Sequence, residues 1–256
     1  MSDLSNKTAL VTGASRGIGR ATALALAEAH ARVIVHYGRS KAEAEAVVTE
    51  IHSAGGWAEA VQADLGTPDG AATLAAQVGT LPQTRLDILV SNAGISRASA
   101  FEDYVREDFD LLFATNVRST FFLVQQLLPL LVEGASVVLV SSLVARAVPG
   151  NPGQPDAPSL SAYAATKGAI ETLVKHWAAA LGPRRIRVNA VAPGVIETDM
   201  SNFTKTEAGR KITLDMQALK RIGQPSDVAD VIAFLCSENA RWITGTSIPV
   251  DGGSKL

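Results

Sequence analysis

Short apolar runs alternate with longer segments of helical periodicity along the whole chain. "TALVTG" (8–13), "RVIVHY" (32–37), "WAEAVQAD" (57–64), "LDILVSNAG" (86–94), "SVVLVSS" (136–142), "RIRVNAVAPG" (185–194) and "TSIPVDGG" (246–253) are rich in Val and Ile, and most end in Gly, Asn, Ser or Asp. Runs like these read as strands buried on both faces, the pattern of a parallel sheet. Between them lie Ala- and Leu-rich segments such as "GRATALALAEAHA", "SKAEAEAVVTEIHSAGG" and "FDLLFATNVRSTFFLVQQLLPLLVEG", whose apolar spacing and closing glycines mark helices. Seven strands with crossover helices predict one α/β domain over residues 1–256, a doubly wound seven-stranded parallel sheet with helices on both faces. Ligands of such sheets bind at the carboxyl ends of the strands. One stretch breaks the rhythm: "PGNPGQPDAP", 149–158, has four prolines, which forbid a regular helix or central strand and make it a loop.

Composition narrows the function classes. With 47% hydrophobic and 19% charged residues the chain buries a full core. Its net charge of −2, from scattered charges, leaves no footprint for nucleic acid or an anionic membrane surface. The single cysteine, Cys236, excludes an internal disulfide and a zinc thiolate cluster, and its apolar neighbours predict a buried thiol. The N-terminus has no basic flank or apolar h-region, and no run reaches the ~18–20 apolar residues of a membrane span, so the expected location is cytoplasmic. The histidines, 30, 36, 52 and 176, lack metal-ligand spacing, and no metal site is expected.

Two local patterns carry chemistry. After the first strand comes Thr12-Gly13-Ala14-Ser15-Arg16-Gly17-Ile18-Gly19, followed at once by a helix. A strand, a glycine turn and a helix start bring backbone N–H groups and a helix dipole up to a phosphate, although a turn that merely needs glycines is written with the same letters. Tyr163 and Lys167 stand i and i+4, one turn apart on one helix face, a spacing that a solvated face shares.

The glycine spacing, Gly-x-x-x-Gly-x-Gly, resembles that of the short-chain dehydrogenase/reductase family. Other pieces follow in that family's order: Asn92-Ala93-Gly94, Asn116, Ser142, Tyr163 with Lys167, Pro193-Gly194, and Asp251-Gly252-Gly253. The resemblance spans nearly the whole chain and implies a Rossmann fold and an oxidoreductase that interconverts a ketone and a secondary alcohol. Tyr163 is then the general acid/base, its phenolate favoured by the Lys167 ammonium and the oxidised nicotinamide. Lys167 also bonds the nicotinamide ribose, Ser142 holds the substrate oxygen, with Ser141 its rival, and Asn116 anchors a proton-relay water. Gly13, Ser15, Arg16, Gly17, Ile18 and Gly19 form the phosphate turn, Asp64 and Leu65 the adenine-binding pair, and Asn92, Ala93 and Gly94 follow strand four. The bland alternative for Asp64 is a helix N-cap, for which Thr67 is also a candidate. Pro193, Gly194, Ile196 (or Val195) and Thr198 face the nicotinamide.

Strand two ends His36-Tyr37-Gly38-Arg39-Ser40, without the carboxylate that an NAD site of this type places there. Arg39 and Arg16 can clamp a 2'-phosphate, which predicts NADP(H), with His36 a minor candidate for contact there. Within the family the chain most resembles 3-oxoacyl-[acyl-carrier-protein] reductases and relatives that reduce free small ketones. The carrier-protein reading is the alternative, weakened because only Arg184 and Arg185 could form a basic dock. A catalytically silent dinucleotide sensor on the same fold is a further alternative. The resemblance also implies a homotetramer, packed through long helices at about 104–132 and 160–181, and a mobile substrate lid at about 199–215. From Ser142 to Tyr163 the chain runs longer than the family usually has, which assigns the insertion at about 147–160 to the substrate mouth, with Val148 and Leu160 as pocket wall.

Overall fold

The computed structural model describes residues 3–82, 85–148 and 159–254. The proline-rich stretch 149–158 lies outside the described residues. Seven parallel strands form one sheet in the order β3-β2-β1-β4-β5-β6-β7. They are β1 (Thr8–Val11), β2 (Arg32–Tyr37), β3 (Ala58–Gln62), β4 (Leu86–Ser91), β5 (Leu131–Val140), β6 (Arg187–Pro193) and β7 (Ser247–Val250). The connecting helices are α1 (Gly17–Glu28), α2 (Lys41–Ser53), α3 (Gly70–Thr80), α4 (Arg106–Phe113), α5 (Ser119–Leu127), α6 (Ser161–Leu181), α7 (Glu207–Met216) and α8 (Pro225–Cys236).

Alternation along each strand explains why both faces are covered. Ala9, Val11, Val33, Val35, Ile88, Val90, Val138 and Val140 face one way, onto Leu26, Val47, Ile51, Ile232 and Leu235 of α1, α2 and α8. Leu10, Ile34, Leu89, Val137 and Leu139 face the other way, onto Leu74, Val78, Leu123, Leu127, Ile170 and Val174 of α3, α5 and α6. Each fully buried leucine, Leu10 and Leu26 among them, stabilises the fold by about 1.5–3 kcal/mol relative to exposure. β1 sits between β2 and β4, so the chain turns opposite ways from neighbouring strands and opens a crevice at their carboxyl ends.

Two segments differ from the sequence expectation. The stretch 109–134 was expected to be one helix; instead α4 runs into a π-helical turn, Ala114–Arg118, α5 ends at Leu127, and β5 begins at Leu131. Pro129 lacks the N–H that a continuing helix needs, and Leu131 pairs with Leu86 at the sheet. Gly134, with φ 81°, accompanies the register shift before Ser136 meets Ile88. The segment 199–215, expected to be a lid loop, is likewise helical, a 3-10 segment Asp199–Lys205 followed by α7. Thr206 caps α7 by accepting the Gly209 N–H at 3.1 Å, a local signal that outweighs the polar composition of the stretch.

Candidate active site

The phosphate turn is shaped by contacts that tolerate no side chain. Gly13 and Gly17 adopt φ of 63° and 55°, where glycine is favoured. A Cβ on Gly19 would collide with the Gly13 carbonyl oxygen and stand 2.5 Å from the Asn92 amide nitrogen. Asn92 donates that amide to the carbonyls of Thr12 (2.9 Å) and Gly13 (3.1 Å). Thr12 Oγ1 accepts the N–H groups of Asn92 (3.0 Å) and Ala93 (2.9 Å), locking β1 to the end of β4. The sequence reading missed Thr12, because a threonine ending a strand carries no signal of its own.

His36 has a different task from the phosphate contact considered for it. The ring is 2% exposed, its Nδ1 accepts the Gly13 N–H at 3.1 Å, and Nε2 donates to the Ala63 carbonyl at 3.0 Å. Both nitrogens are occupied in supporting the turn, and none is left for a ligand. Burial pushes its pKa down from 6.5 to about 4. Between these values the unfolded chain takes up a proton that the folded one refuses, so stability is full above pH 6.5 and falls as pH drops towards 4. The loss across that window is on the order of 3 kcal/mol. Unfolding midpoints at pH 7 and pH 4.5 should therefore differ more for the wild type than for His36→Gln; equal falls would refute the linkage.

At the end of β2, Arg16 spans the crevice. Its Nη2 donates to Ser40 Oγ at 3.3 Å and its Nη1 to Asp199 Oδ2 at 3.1 Å. Arg39 is 91% exposed along its side chain and approaches Asp64 at 3.4 Å. Tyr37 packs against the core beside them, Ser15 is buried in the glycine turn, and Leu65 is buried with the α3 side of the sheet. Asp64 Oδ1 accepts the Gly66 N–H at 3.0 Å in a turn of its own, and α3 starts only at Gly70. The N-cap alternative for Asp64 or Thr67 is therefore not realised.

Tyr163, Lys167 and Ser142 meet at the carboxyl end of β5. Tyr163 is 8% exposed with Ser142 beside it on the cavity lining; burial, which the serine hydroxyl partly offsets, pushes the phenol pKa up to about 12. Lys167 is 5% exposed, its Nζ donates to the Val140 carbonyl at 2.7 Å and lies 5.6 Å from the Tyr163 ring centroid. Burial lowers its pKa to about 8. In the protein alone desolvation governs the phenol and leaves it a protonated acid; the preference for phenolate expected above belongs to the site with oxidised nicotinamide bound. Ser141 turns away from the site: its hydroxyl reaches the Lys167 carbonyl at 3.3 Å and Glu171 at 3.2 Å.

Asn116 lies in the π-helical turn, 2% exposed. Its Oδ1 accepts the Ile95 N–H and its Nδ2 donates to the Ile95 carbonyl, both at 2.9 Å, and to Thr166 Oγ1 at 3.1 Å. Thr166 passes the chain on to the Tyr163 carbonyl at 2.7 Å, a link with no signal in the sequence. A Cβ on Gly94 would sit 3.2 Å from Asn116 Oδ1 and 3.6 Å from Lys167 Nζ, so glycine keeps that approach open. Pro193 and Gly194 end β6, where the Gly194 N–H donates to the Val250 carbonyl at 3.1 Å.

A cavity of about 650 Å³ opens at this end of the sheet, with Asn116 outside its lining. Ile18, Asn92, Gly94, Ser142, Tyr163 and Lys167 form its floor, and Thr198, Met200 and Phe203 reach in from the 3-10 segment. Leu160 lines the wall as expected, whereas Val148 is 67% exposed and does not. Cys236 is buried, its thiol pKa pushed up to about 12. Among the described residues no cluster of His, Cys, Asp or Glu could hold a metal ion, and no helix is long and apolar enough to cross a membrane.

Residues 13–255 match the family model adh_short_C2, described as enoyl-(acyl carrier protein) reductase. Versicolorin reductase 1 of Aspergillus parasiticus is 41% identical over 262 residues, 98% of this chain and 97% of that protein. The 3-oxoacyl-[acyl-carrier-protein] reductase FabG of Staphylococcus aureus is 41% identical over 248 residues, 96% of this chain and 97% of its own. The crystal structure of angucycline C-6 ketoreductase LanV with bound NADP superposes with a TM-score of 0.91 at 39% identity, covering 100% of this chain and 98% of that one. With the ordered motifs gathered at one end of the sheet and likeness over nearly its full length, the chain belongs to the short-chain dehydrogenase/reductase family.

Proposed function

We propose that this protein is an NADPH-dependent reductase of ketones, with Tyr163 as general acid. The observation that carries the reading is the buried Tyr163 phenol, held protonated on a cavity lining shared with Ser142 and Lys167. When bound, NADPH supplies the hydride. Ser142 orients the substrate oxygen, and Tyr163 delivers its proton to that oxygen as the carbonyl becomes an alcohol. Lys167, charged below a pKa of about 8, stabilises the phenolate left behind until solvent returns the proton.

The chain's own residues fit that cofactor. The side-chain-free cradle at Gly13, Gly17 and Gly19 admits a pyrophosphate at the start of α1. Arg16, Arg39 and Ser40 would offer donors to a 2'-phosphate, Asp64 would hold the adenine, and Ile196 and Thr198, which line the cavity, would contact the nicotinamide. LanV, whose structure contains NADP, supports the choice.

The substrate is a small ketone, diketone or 3-oxoacyl compound, and the ketoreductase named among the neighbours supports carbonyl rather than enoyl reduction, as does the three-residue gap between Tyr163 and Lys167. Carrier-protein delivery is the second reading, favoured by the FabG relative. Against it, both candidate docking cations are engaged: Arg184 donates to the Leu128 and Leu131 carbonyls, and Arg185 pairs with Glu133 at 2.6 Å. The 3-10 segment and α7 serve as the substrate lid. Leu111, Phe121 and Phe122 are exposed on α4 and α5, which supports assembly into a homotetramer through that face; a monomeric sedimentation mass would refute it.

An NADPH-oxidation screen over ketones, diketones, keto esters and carrier-linked acyl substrates tests the reading. Turnover of free ketones is expected. NADPH binding without turnover across the panel would instead identify a dinucleotide sensor, and a rate far higher with carrier-linked substrate would favour the second reading.

A further inference from the structure

Behind the catalytic floor lies a half-buried carboxylate to which the mechanism assigns no work. Glu171 stands one turn beyond Lys167 on α6, its side chain 16% exposed. Its Oε1 accepts the hydroxyls of Ser141 at 3.2 Å and Ser247 at 2.9 Å, and its Oε2 accepts Arg146 Nε at 2.7 Å. Arg146 Nη2 donates in turn to the Ser247 carbonyl at 3.2 Å. One carboxylate thereby ties the helix carrying Tyr163 to the end of β5, to the turn after it and to the start of β7.

The partners of Glu171 bracket Ser142. Ser141 precedes it, and Arg146 closes the 3-10 turn Leu143–Ala145 that follows it. Ser142 itself is extended, φ −166° and ψ 155°, its hydroxyl accepts the Val144 N–H at 3.4 Å, and it lines the cavity with Tyr163. Both of its flanking partners are held from behind by the same helix that bears Tyr163.

We propose that Glu171 is a positioning residue that sets the Ser142 hydroxyl against Tyr163 by clamping Ser141 and Arg146 on either side. The inference rests on the reading of Ser142 and Tyr163 as the catalytic pair. Catalytic geometry is steep, since a misplacement of about 1 Å can cost on the order of 100-fold in rate. Gln at 171 keeps an oxygen for the two serines but turns an N–H donor towards Arg146, which is itself a donor, so it opens one arm of the clamp at nearly constant volume.

The test is a kinetic cycle on the full chain with NADPH and the best ketone of the screen. Glu171→Gln should lower kcat about tenfold, leaving the NADPH Kd and both KM values within about twofold, because the damage lies in transition-state alignment. In a Ser142→Ala background the same substitution should cost less than about twofold, since its target is gone. A Glu171→Gln kcat equal to wild type overturns the proposal, and so does a full tenfold effect added to Ser142→Ala, which would mark a role independent of the serine. A Ser142→Ala enzyme of wild-type rate fails in a distinguishable way: it removes the catalytic reading first and the proposal with it. If Glu171→Gln does not fold, Arg146→Gln, at a side chain 43% exposed, opens the same arm. It should lower kcat about threefold with the same non-additivity, and a wild-type kcat there overturns the proposal equally.

Discussion

Tyr163→Phe should lower kcat for ketone reduction by about 10³-fold while leaving the NADPH Kd within about twofold. The substitution is clean because the ring is only 8% exposed and packs with Leu112 and Ala162, contacts that phenylalanine keeps. What disappears is the hydroxyl proposed to donate the proton. An interaction made only as the transition state forms is lost from kcat and from kcat/KM alike, whereas binding is spared. Steady-state kinetics combined with fluorescence titration of NADPH separates the two. A variant retaining roughly a tenth of the wild-type kcat would exclude Tyr163 as the acid, since general acids contribute about 10²–10⁴-fold.

Arg39→Asp should lower kcat/KM with NADPH by about 100-fold and leave that with NADH nearly unchanged, as hydrogen bonds to charged groups contribute about 1.5–3 kcal/mol. Arg39 is 91% exposed along its side chain and is held only by an ion pair of 3.4 Å, an arrangement cheap to exchange for a phosphate. In the variant, two carboxylates, at 39 and at Asp64, would face the position of the 2'-phosphate, so repulsion adds to the lost attraction. Arg16 remains, bonded to Ser40, and keeps the loss short of complete. The comparison is kcat/KM for both cofactors at one saturating ketone concentration. An unchanged NADPH to NADH ratio would overturn the assignment of the 2'-phosphate site.

The features legible in the sequence are those written locally. Strands buried on both faces announce themselves as apolar runs, a glycine turn between strand and helix keeps its spacing, and Tyr163 and Lys167 share a helix face at four residues. What escaped is written between distant segments. The partners of Glu171 lie 30, 25 and 76 residues away, and no window of sequence contains them together. Thr12 meets Asn92 across 80 residues, and His36 meets Gly13 across 23, so a strand residue that supports the turn looks like any other. The start of β5 was hidden differently: "LLPLLVEG" suits either a helix or a strand by its apolar content, and pairing of Leu131 with Leu86 decides it. The raised pKa of Tyr163 was hidden for a related reason, since desolvation depends on everything packed around the ring.

The parallel order of the sheet also governs when the site comes into existence during synthesis. The cradle is on β1, the clasp of Asn92 on β4, the serine on β5 and the Pro193-Gly194 turn on β6, and that turn is held by the Val250 carbonyl of β7. Each neighbouring pair of strands is joined through a crossover, so no hairpin can nucleate the crevice by itself. A nascent chain that has not yet released β7 from the ribosome lacks the support for its Pro-Gly turn, and the crevice is complete only when residue 250 has joined the sheet. Recovered activity therefore counts finished molecules, and a partly made chain has no working site to expose.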